Sequence, residues 1–231
     1  MPTFTKFSKS IKGGLGLSFA PSAGHYCDEA CRLWAACYAS RIERVYTGLG
    51  DKLNRHVAIG PTDIVNRAID ELPDVIPWFR FLVNGSLPSK TSMPPAKWRT
   101  FSARMQTLAN MLRERKAPVH LPLESPGKAR TYQAMLPSVV VRRTSQSPTA
   151  RRMLAEHGNR AWVVARRIHA GGISKQVVAD NIALARDVAV VARKSGQTCI
   201  VCPAIASDAK CGQCTACANR AVDIVLYPFH P

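Results

Sequence analysis

Five of the eight cysteines of this 231-residue chain crowd into one short segment near its carboxyl end. These are Cys199, Cys202, Cys211, Cys214 and Cys217. The last three recur at every third residue, a spacing that lets one tight loop direct three sulfurs to a common centre, as bacterial ferredoxins do for a cubane cluster. The fourth ligand of that pattern is a cysteine followed by proline, and Cys202-Pro203 has this character, although it precedes the triplet. The segment therefore predicts a [4Fe-4S] cluster held by Cys202, Cys211, Cys214 and Cys217.

Two other chemistries fit the same cysteines. Cys199 and Cys202 form one CxxC element and Cys211 and Cys214 another, which is the spacing of a four-cysteine zinc site. Zinc would leave Cys217 unused, so the triplet favours iron and sulfide. Disulfides are disfavoured because the chain shows no amino-terminal apolar stretch of the kind that directs secretion.

The remaining cysteines, Cys27, Cys31 and Cys37, lie close together in residues 20–40. Buried free cysteines often act as small hydrophobes, and part of this stretch has helical apolar spacing. Three cysteines so close together in a cytosolic chain are nevertheless typical of ligands. We predict that they hold a second cluster or one with an open iron, with Cys199 as a candidate fourth ligand.

The chain carries 32 Lys and Arg against 15 Asp and Glu, a formal charge of +17. The excess is concentrated in a basic core over residues 77–194. A field of this sign attracts polyanions, and it predicts nucleic acid, DNA rather than RNA, as the partner. An acidic protein partner or a merely solvated basic surface is the alternative. The residues predicted to contact nucleic acid are Lys97, Arg99, Arg104, Lys128, Arg130, Arg142, Arg143, Arg151, Arg152, Arg166 and Arg167.

Apolar strands alternate with helices along the chain. Strands are predicted over 15–20, 77–83, 119–123, 139–143, 162–165, 198–201 and 222–226, and helices over 49–58, 61–72, 96–116, 127–136 and 179–194, the last capped by Asp180. Alternation of this kind predicts a single α/β domain over 1–231, with a mostly parallel sheet or a partial (β/α) barrel. The cysteine segments 20–40 and 198–231 are expected to close on the metal clusters. No apolar run is long enough to cross a bilayer, so we expect a cytoplasmic protein without a membrane partner.

Other catalytic patterns are sparse. The histidines, His120 among them, are scattered without ligand spacing and are predicted to be surface or packing residues. Tyr132, near Lys128 and Arg130, resembles a strand-transfer nucleophile only superficially, because no paired histidine or acidic metal motif accompanies it.

Four ordered stretches of the chain resemble the "gene product 88" family of phages and other mobile elements. They are the run from Cys27 through Cys37-Tyr38-Ala39, the run FRFLVNGSLPS over 79–89, the runs HLPLES over 120–125 and VVVR over 139–142, and Cys202-Pro203 through Cys217 with the closing YPFH over 227–230.

This resemblance implies an iron–sulfur protein of a phage or plasmid, in the host cytosol, with three amino-terminal and four carboxy-terminal cysteine ligands. It also implies a barrel similar to those of radical S-adenosylmethionine enzymes. The chain departs from the family at Asn84-Gly85-Ser86, where the family has Ser-Gly followed by an acidic residue, and Cys199 is an addition.

Three functions follow as hypotheses. The first is an iron–sulfur protein that binds nucleic acid, with a structural or redox-sensing cluster. The second is a radical S-adenosylmethionine-like enzyme, although Cys37 follows Cys31 by six positions where the CxxxCxxC pattern of those enzymes requires three. The third is a zinc-stabilised DNA-binding protein. Whether any reaction is catalysed stays open, and no catalytic residue is assigned.

Overall fold

The computed structural model describes residues 15–17, 60–81, 87–123, 125–145, 160–164, 174–207, 209 and 211–228. The strands are β1 Leu15–Leu17, β2 Phe79–Phe81, β3 Val119–Leu123, β4 Val140–Ser145, β5 Arg160–Val164, β6 Cys199–Val201 and β7 Ile224–Pro228. They form one seven-stranded sheet in the order β1-β2-β3-β4-β5-β7-β6. All six neighbouring pairs run parallel, which confirms the predicted parallel α/β architecture. No pairing among the described residues joins β1 to β6, and barrel closure stays a prediction.

The helices follow the predicted alternation with the strands. They are α1 Pro61–Asp70, α2 Pro95–Glu114, α3 Pro126–Met135, α4 Lys175–Lys194, α5 Pro203–Ala206 and α6 Cys211–Cys214, followed by a 3₁₀ turn at Ala216–Ala218. Four of them, α1, α2, α3 and α5, begin with proline in the first turn. Proline suits that position because its missing N–H is one that a helix start leaves unbonded in any case.

One face of the sheet is apolar and is covered by the long helices. Alternate residues of β2 and β3, such as Phe79, Phe81 and Leu121, pack with Phe101 and Leu108 of α2. At the other end of the sheet, α4 packs against β6 and β7. We call this the helix face.

The opposite face carries polar side chains and is covered by the segment that joins β6 to β7. Because strand residues alternate between faces, Arg80, His120, Arg142 and Tyr227 lie on this second face, which we call the cysteine face. The 3₁₀ turn contacts β3 and β4, and α5 contacts β7. Topology explains the placement. Since β7 lies between β5 and β6, its incoming connection runs back along the sheet, and a right-handed crossover then uses the face opposite the long helices.

The start of α4 differs from the prediction. Ser174 caps the helix, its Oγ accepting from the Val177 N–H at 3.3 Å, whereas Asp180 lies inside the helix and accepts from Gln176 Nε2 at 2.9 Å. Residues 175–178 in the first turn of α4 are exposed or only partly buried, so apolar periodicity marked the helix start one turn too late. The predicted helix over 49–58 and the whole segment 20–40 lie outside the described residues.

Candidate functional site on the cysteine face

Cys202 lies where the chain leaves β6 and enters α5. Its N–H donates to the Leu226 carbonyl of β7 at 2.8 Å, and its side chain is only 7% exposed. Burial, reinforced by the nearby sulfurs of Cys217 and Cys211, raises the pKa of the Cys202 thiol to about 12. The N–H groups of the first turn of α5 oppose this shift by donating to the sulfur, as helix N-termini do for anions. Cys202 is therefore a neutral thiol, and the N–H groups beside it would stabilise its thiolate form.

A sharp bend brings Cys217 back to the sheet. The Thr215 N–H donates to the Cys211 carbonyl at 3.1 Å, which closes the turn of α6. Thr215 itself has a left-handed backbone with φ of 46°, a conformation that reverses the chain direction after a helix. The 3₁₀ turn that follows places Cys217 Sγ 2.7 Å from the Tyr227 hydroxyl on β7.

Arg142 on β4 fastens this bend to the sheet. Its side chain is 0% exposed. Its guanidinium donates four hydrogen bonds to main-chain carbonyls of the cysteine segment, at distances of 2.7 to 3.0 Å. The acceptors are Ala216, Cys217, Asn219 and Val222. Burial lowers the pKa of Arg142, while the negative forms of Cys217, Tyr227 and Asp223 raise it.

His120 extends the polar row across the sheet. It pairs in register with Arg80 of β2, is 2% exposed, and its ring centroid lies 5.2 Å from that of Trp78. Its Nδ1 is buried and has no hydrogen-bond partner in the described part of the chain. Burial lowers the pKa of His120 well below its usual value, and the cations Arg80 and Arg142 lower it further, so the imidazole is neutral at pH 7.

Burial and the neighbouring polar groups shift the pKa of the Cys217 thiol in opposite directions. Burial raises the pKa of the Cys217 thiol, whereas the Tyr227 hydroxyl, Arg142 and Arg80 lower it. Burial also raises the pKa of Tyr227 well above its usual value, which keeps the hydroxyl protonated. The Tyr227 hydroxyl and two nearby cations therefore favour the thiolate form of Cys217, which a metal produces when it displaces the proton.

The predicted cysteine ligands that the structure describes lie on both faces of the sheet. Cys202, Cys211 and Cys217 share the cysteine face closely enough to affect one another's pKa, and Cys214 lies in the same segment. Cys199 is packed in the helix-face cluster with Ala185, Val188 and other residues of α4 and β7. Cys27, Cys31 and Cys37 lie outside the described residues. Among the residues that are described, no three His, Cys, Asp or Glu side chains form a ready-made metal site.

The residues predicted to contact nucleic acid differ in their exposure to solvent. Lys97, Arg99, Arg104 and Arg130 are exposed, and Lys128 and Arg143 are partly buried. Arg142 must be removed from this set, because its guanidinium is fully buried and bonded to the cysteine segment. The remaining four, Arg151, Arg152, Arg166 and Arg167, lie outside the described residues.

Three site residues were missed from the sequence. Arg80, His120 and Tyr227 each occupy a polar position between apolar neighbours in a strand, and this alternation was the available signal. Tyr132, by contrast, is a core residue: it is 0% exposed and its hydroxyl donates to the Pro88 carbonyl at 2.8 Å, which excludes it as a surface nucleophile.

Comparison of the chain with protein-family models, with curated proteins and with solved structures found no match. The resemblance to the gene product 88 family therefore stays a prediction. Within the described part of the chain, no helix combines the length and apolar character needed to span a bilayer.

Proposed function

We propose that the protein is an iron–sulfur protein that holds a [4Fe-4S] cluster on the cysteine face through Cys202, Cys211, Cys214 and Cys217. Three of these sulfurs lie close enough to affect one another's pKa, and the CxxCxxC spacing supplies the fourth donor. Such a cluster supplies one-electron redox chemistry and a covalent tie across the segment. The chain's own residues bury the ligands and provide hydrogen bonds and positive charge around them.

The observation that carries this proposal is the buried cation of Arg142 beside Cys217. Arg142 forms no ion pair with a carboxylate among the described residues, and Asp223 raises its pKa from beyond ion-pair distance. A buried cation bonded only to neutral carbonyls carries a large desolvation cost. Thiolates of a metal centre beside Cys217 would provide the missing negative charge.

Anaerobic purification tests the proposal directly. The expected product is a brown protein with stoichiometric iron and sulfide. Cys202→Ser should abolish cluster retention, whereas Cys199→Ser, a matched change three residues earlier on the helix face, should keep it. A colourless protein containing zinc, or equal iron loss in both variants, would contradict the assignment.

A second property, nucleic-acid binding, is favoured by the exposed basic residues. Lys97, Arg99, Arg104 and Arg130 are exposed and form no ion pair with any described residue. Together with a formal charge of +17 they support attraction to phosphates. Retention on DNA that falls steeply with salt is expected, and salt-insensitive or absent binding would exclude this property.

An enzyme similar to radical S-adenosylmethionine proteins is the second candidate. The consecutive parallel order from β1 to β5 favours it, because barrels are built in that order. Cys27, Cys31 and Cys37 would then hold the catalytic cluster. Reductive cleavage of S-adenosylmethionine by the anaerobic protein would support this candidate, and the absence of cleavage would remove it.

A further inference from the structure

The hydroxyl of Tyr227 lies within hydrogen-bond distance of one sulfur, that of Cys217. Tyr227 lies on β7, and its Oη is 2.7 Å from Cys217 Sγ. Among the described residues this sulfur is its only hydrogen-bond partner. Buried tyrosine hydroxyls normally bond to backbone carbonyls or carboxylates, which are stronger acceptors than sulfur. The placement of this hydroxyl therefore concerns Cys217 rather than general packing.

We infer that Tyr227 is a positioning and tuning residue of the cysteine centre, donating a hydrogen bond to the metal-bound sulfur of Cys217. This inference rests on the proposed function, in that Cys217 must hold a metal. A thiol and a hydroxyl can each donate, but a metal-bound cysteine has lost its proton, and Tyr227 is then the donor.

The expected consequence concerns the charge of the centre. A hydrogen bond to a ligand sulfur withdraws electron density from it and stabilises the more negative oxidation state. Arg142 acts in the same sense, since its Nε donates to the Cys217 carbonyl at 2.7 Å. Tyr227 should therefore raise the reduction potential of a bound cluster and fix the orientation of the Cys217 side chain.

The experiment compares Tyr227→Phe with Tyr132→Phe in the anaerobic holoprotein. The control also loses a buried tyrosine hydroxyl bond of similar length, 2.8 Å to the Pro88 carbonyl, but in the helix-face core. In Tyr227→Phe we expect the ratio of reduced to oxidised cluster at a fixed potential to fall about tenfold, which is about 59 mV for a one-electron couple. The Tyr132→Phe potential should equal that of the wild type.

Cobalt binding tests the role of Tyr227 separately from the iron–sulfur assignment. Co²⁺ added to metal-free protein gives sulfur-to-metal charge-transfer bands, which should move to lower energy in Tyr227→Phe because the sulfur becomes more electron-rich. A centre that forms but shows no shift in Tyr227→Phe, or the same shift in Tyr132→Phe, overturns the role of Tyr227 alone. Uptake of cobalt without iron and sulfide overturns the iron–sulfur assignment, while the band shift still decides the role of Tyr227. Uptake of neither overturns both.

Discussion

At the scale of single residues, Arg142 supplies hydrogen-bond donors that an apolar side chain at its position would lack. Four carbonyls of one irregular segment converge on its guanidinium, and two of them, those of Ala216 and Asn219, also accept from main-chain N–H groups. A buried acceptor without a donor costs about 1–3 kcal/mol, so the hydrogen bonds of this one arginine stabilise the bend that the carbonyls form. The cysteine segment therefore depends on β4 for its shape.

Replacing Arg142 by methionine should lower the free energy of unfolding by about 2–4 kcal/mol, because four carbonyls lose the hydrogen bonds of the guanidinium. Urea denaturation measures this change. Arg220→Met is the control, since Arg220 also donates to a carbonyl, that of Pro137, but is exposed. Its expected cost is below about 0.5 kcal/mol. Similar losses in the two variants would show that the buried guanidinium is not what stabilises the segment.

His120 should make the protein acid-sensitive. Its folded-state pKa lies well below the usual 6.5, owing to burial and then to Arg80 and Arg142. When the pH falls through 6.5, the unfolded chain takes up a proton that the folded chain refuses, so stability declines until the folded pKa is reached. The slope should approach about 1.4 kcal/mol per pH unit.

Above pH 6.5 this effect should vanish, because the histidine is neutral in both states. Unfolding free energies measured from about pH 5 to pH 7.5 for wild type and His120→Gln isolate the effect. Parallel curves for the two proteins would mean that His120 is not the responsible group.

At the scale of elements, the structure shows that Ser174 caps α4, whereas the sequence predicted Asp180. Ser174→Ala should cost about 1 kcal/mol, because the Val177 N–H loses its acceptor. Asp180→Ala should change stability by no more than about 0.5 kcal/mol, since Asp180 makes only an exposed contact with Gln176. Thermal unfolding of the two variants decides which residue is the cap, and the reverse order of effects would restore the original prediction.

The connection between β6 and β7 is the other decisive element. Strand β6 begins at Cys199 and the connection begins at Cys202, so these two cysteines are three residues apart. Cys199 belongs to a strand position whose side chain meets α4, and Cys202 lies beyond the strand, where the chain turns onto the cysteine face. A CxxC element is therefore divided between the two faces of the sheet.

At the scale of the whole molecule, the positive charge is widely distributed. On α2, Lys97 and Arg104 are seven residues apart and lie on one side, whereas Arg99 lies about 200° around the helix from Lys97. Exposed basic residues also occur on α4. A polyanion bound to one surface should therefore depend on some of these residues and not on others.

Two triple variants with the same loss of charge test this expectation. Lys97, Arg99 and Arg104 changed to Gln should weaken DNA binding and reduce the slope of log affinity against log salt by about 2 to 3. Lys175, Arg186 and Lys194 on α4, also exposed, changed to Gln should alter it far less. Equal effects of the two triples, measured by fluorescence anisotropy over a salt series, would indicate general charge attraction without a defined surface.

Much of the architecture was predictable because it depends on local patterns. Strands β3 and β6 were placed within one residue at each end, and the parallel arrangement followed from alternation of strands and helices. Apolar spacing reports burial directly, so the core positions of α2 were also correct, including Trp98, Phe101 and Met105. The cysteine spacing singled out Cys202, Cys211, Cys214 and Cys217 because ligand spacing is a property of a short stretch of chain, and their role as ligands stays a prediction.

What only the tertiary structure decided is which side chains face one another across the sheet. Arg142 appeared among surface cations because its sequence neighbour Arg143 is also basic, and sequence alone does not reveal that a loop more than seventy residues later supplies its carbonyl partners. Tyr227 meets Cys217 for the same reason, since the insertion of β7 between β5 and β6 folds the intervening segment back over the strands. The amino acids therefore determined the elements and the available chemistry, and the strand order determined which of those groups share a face.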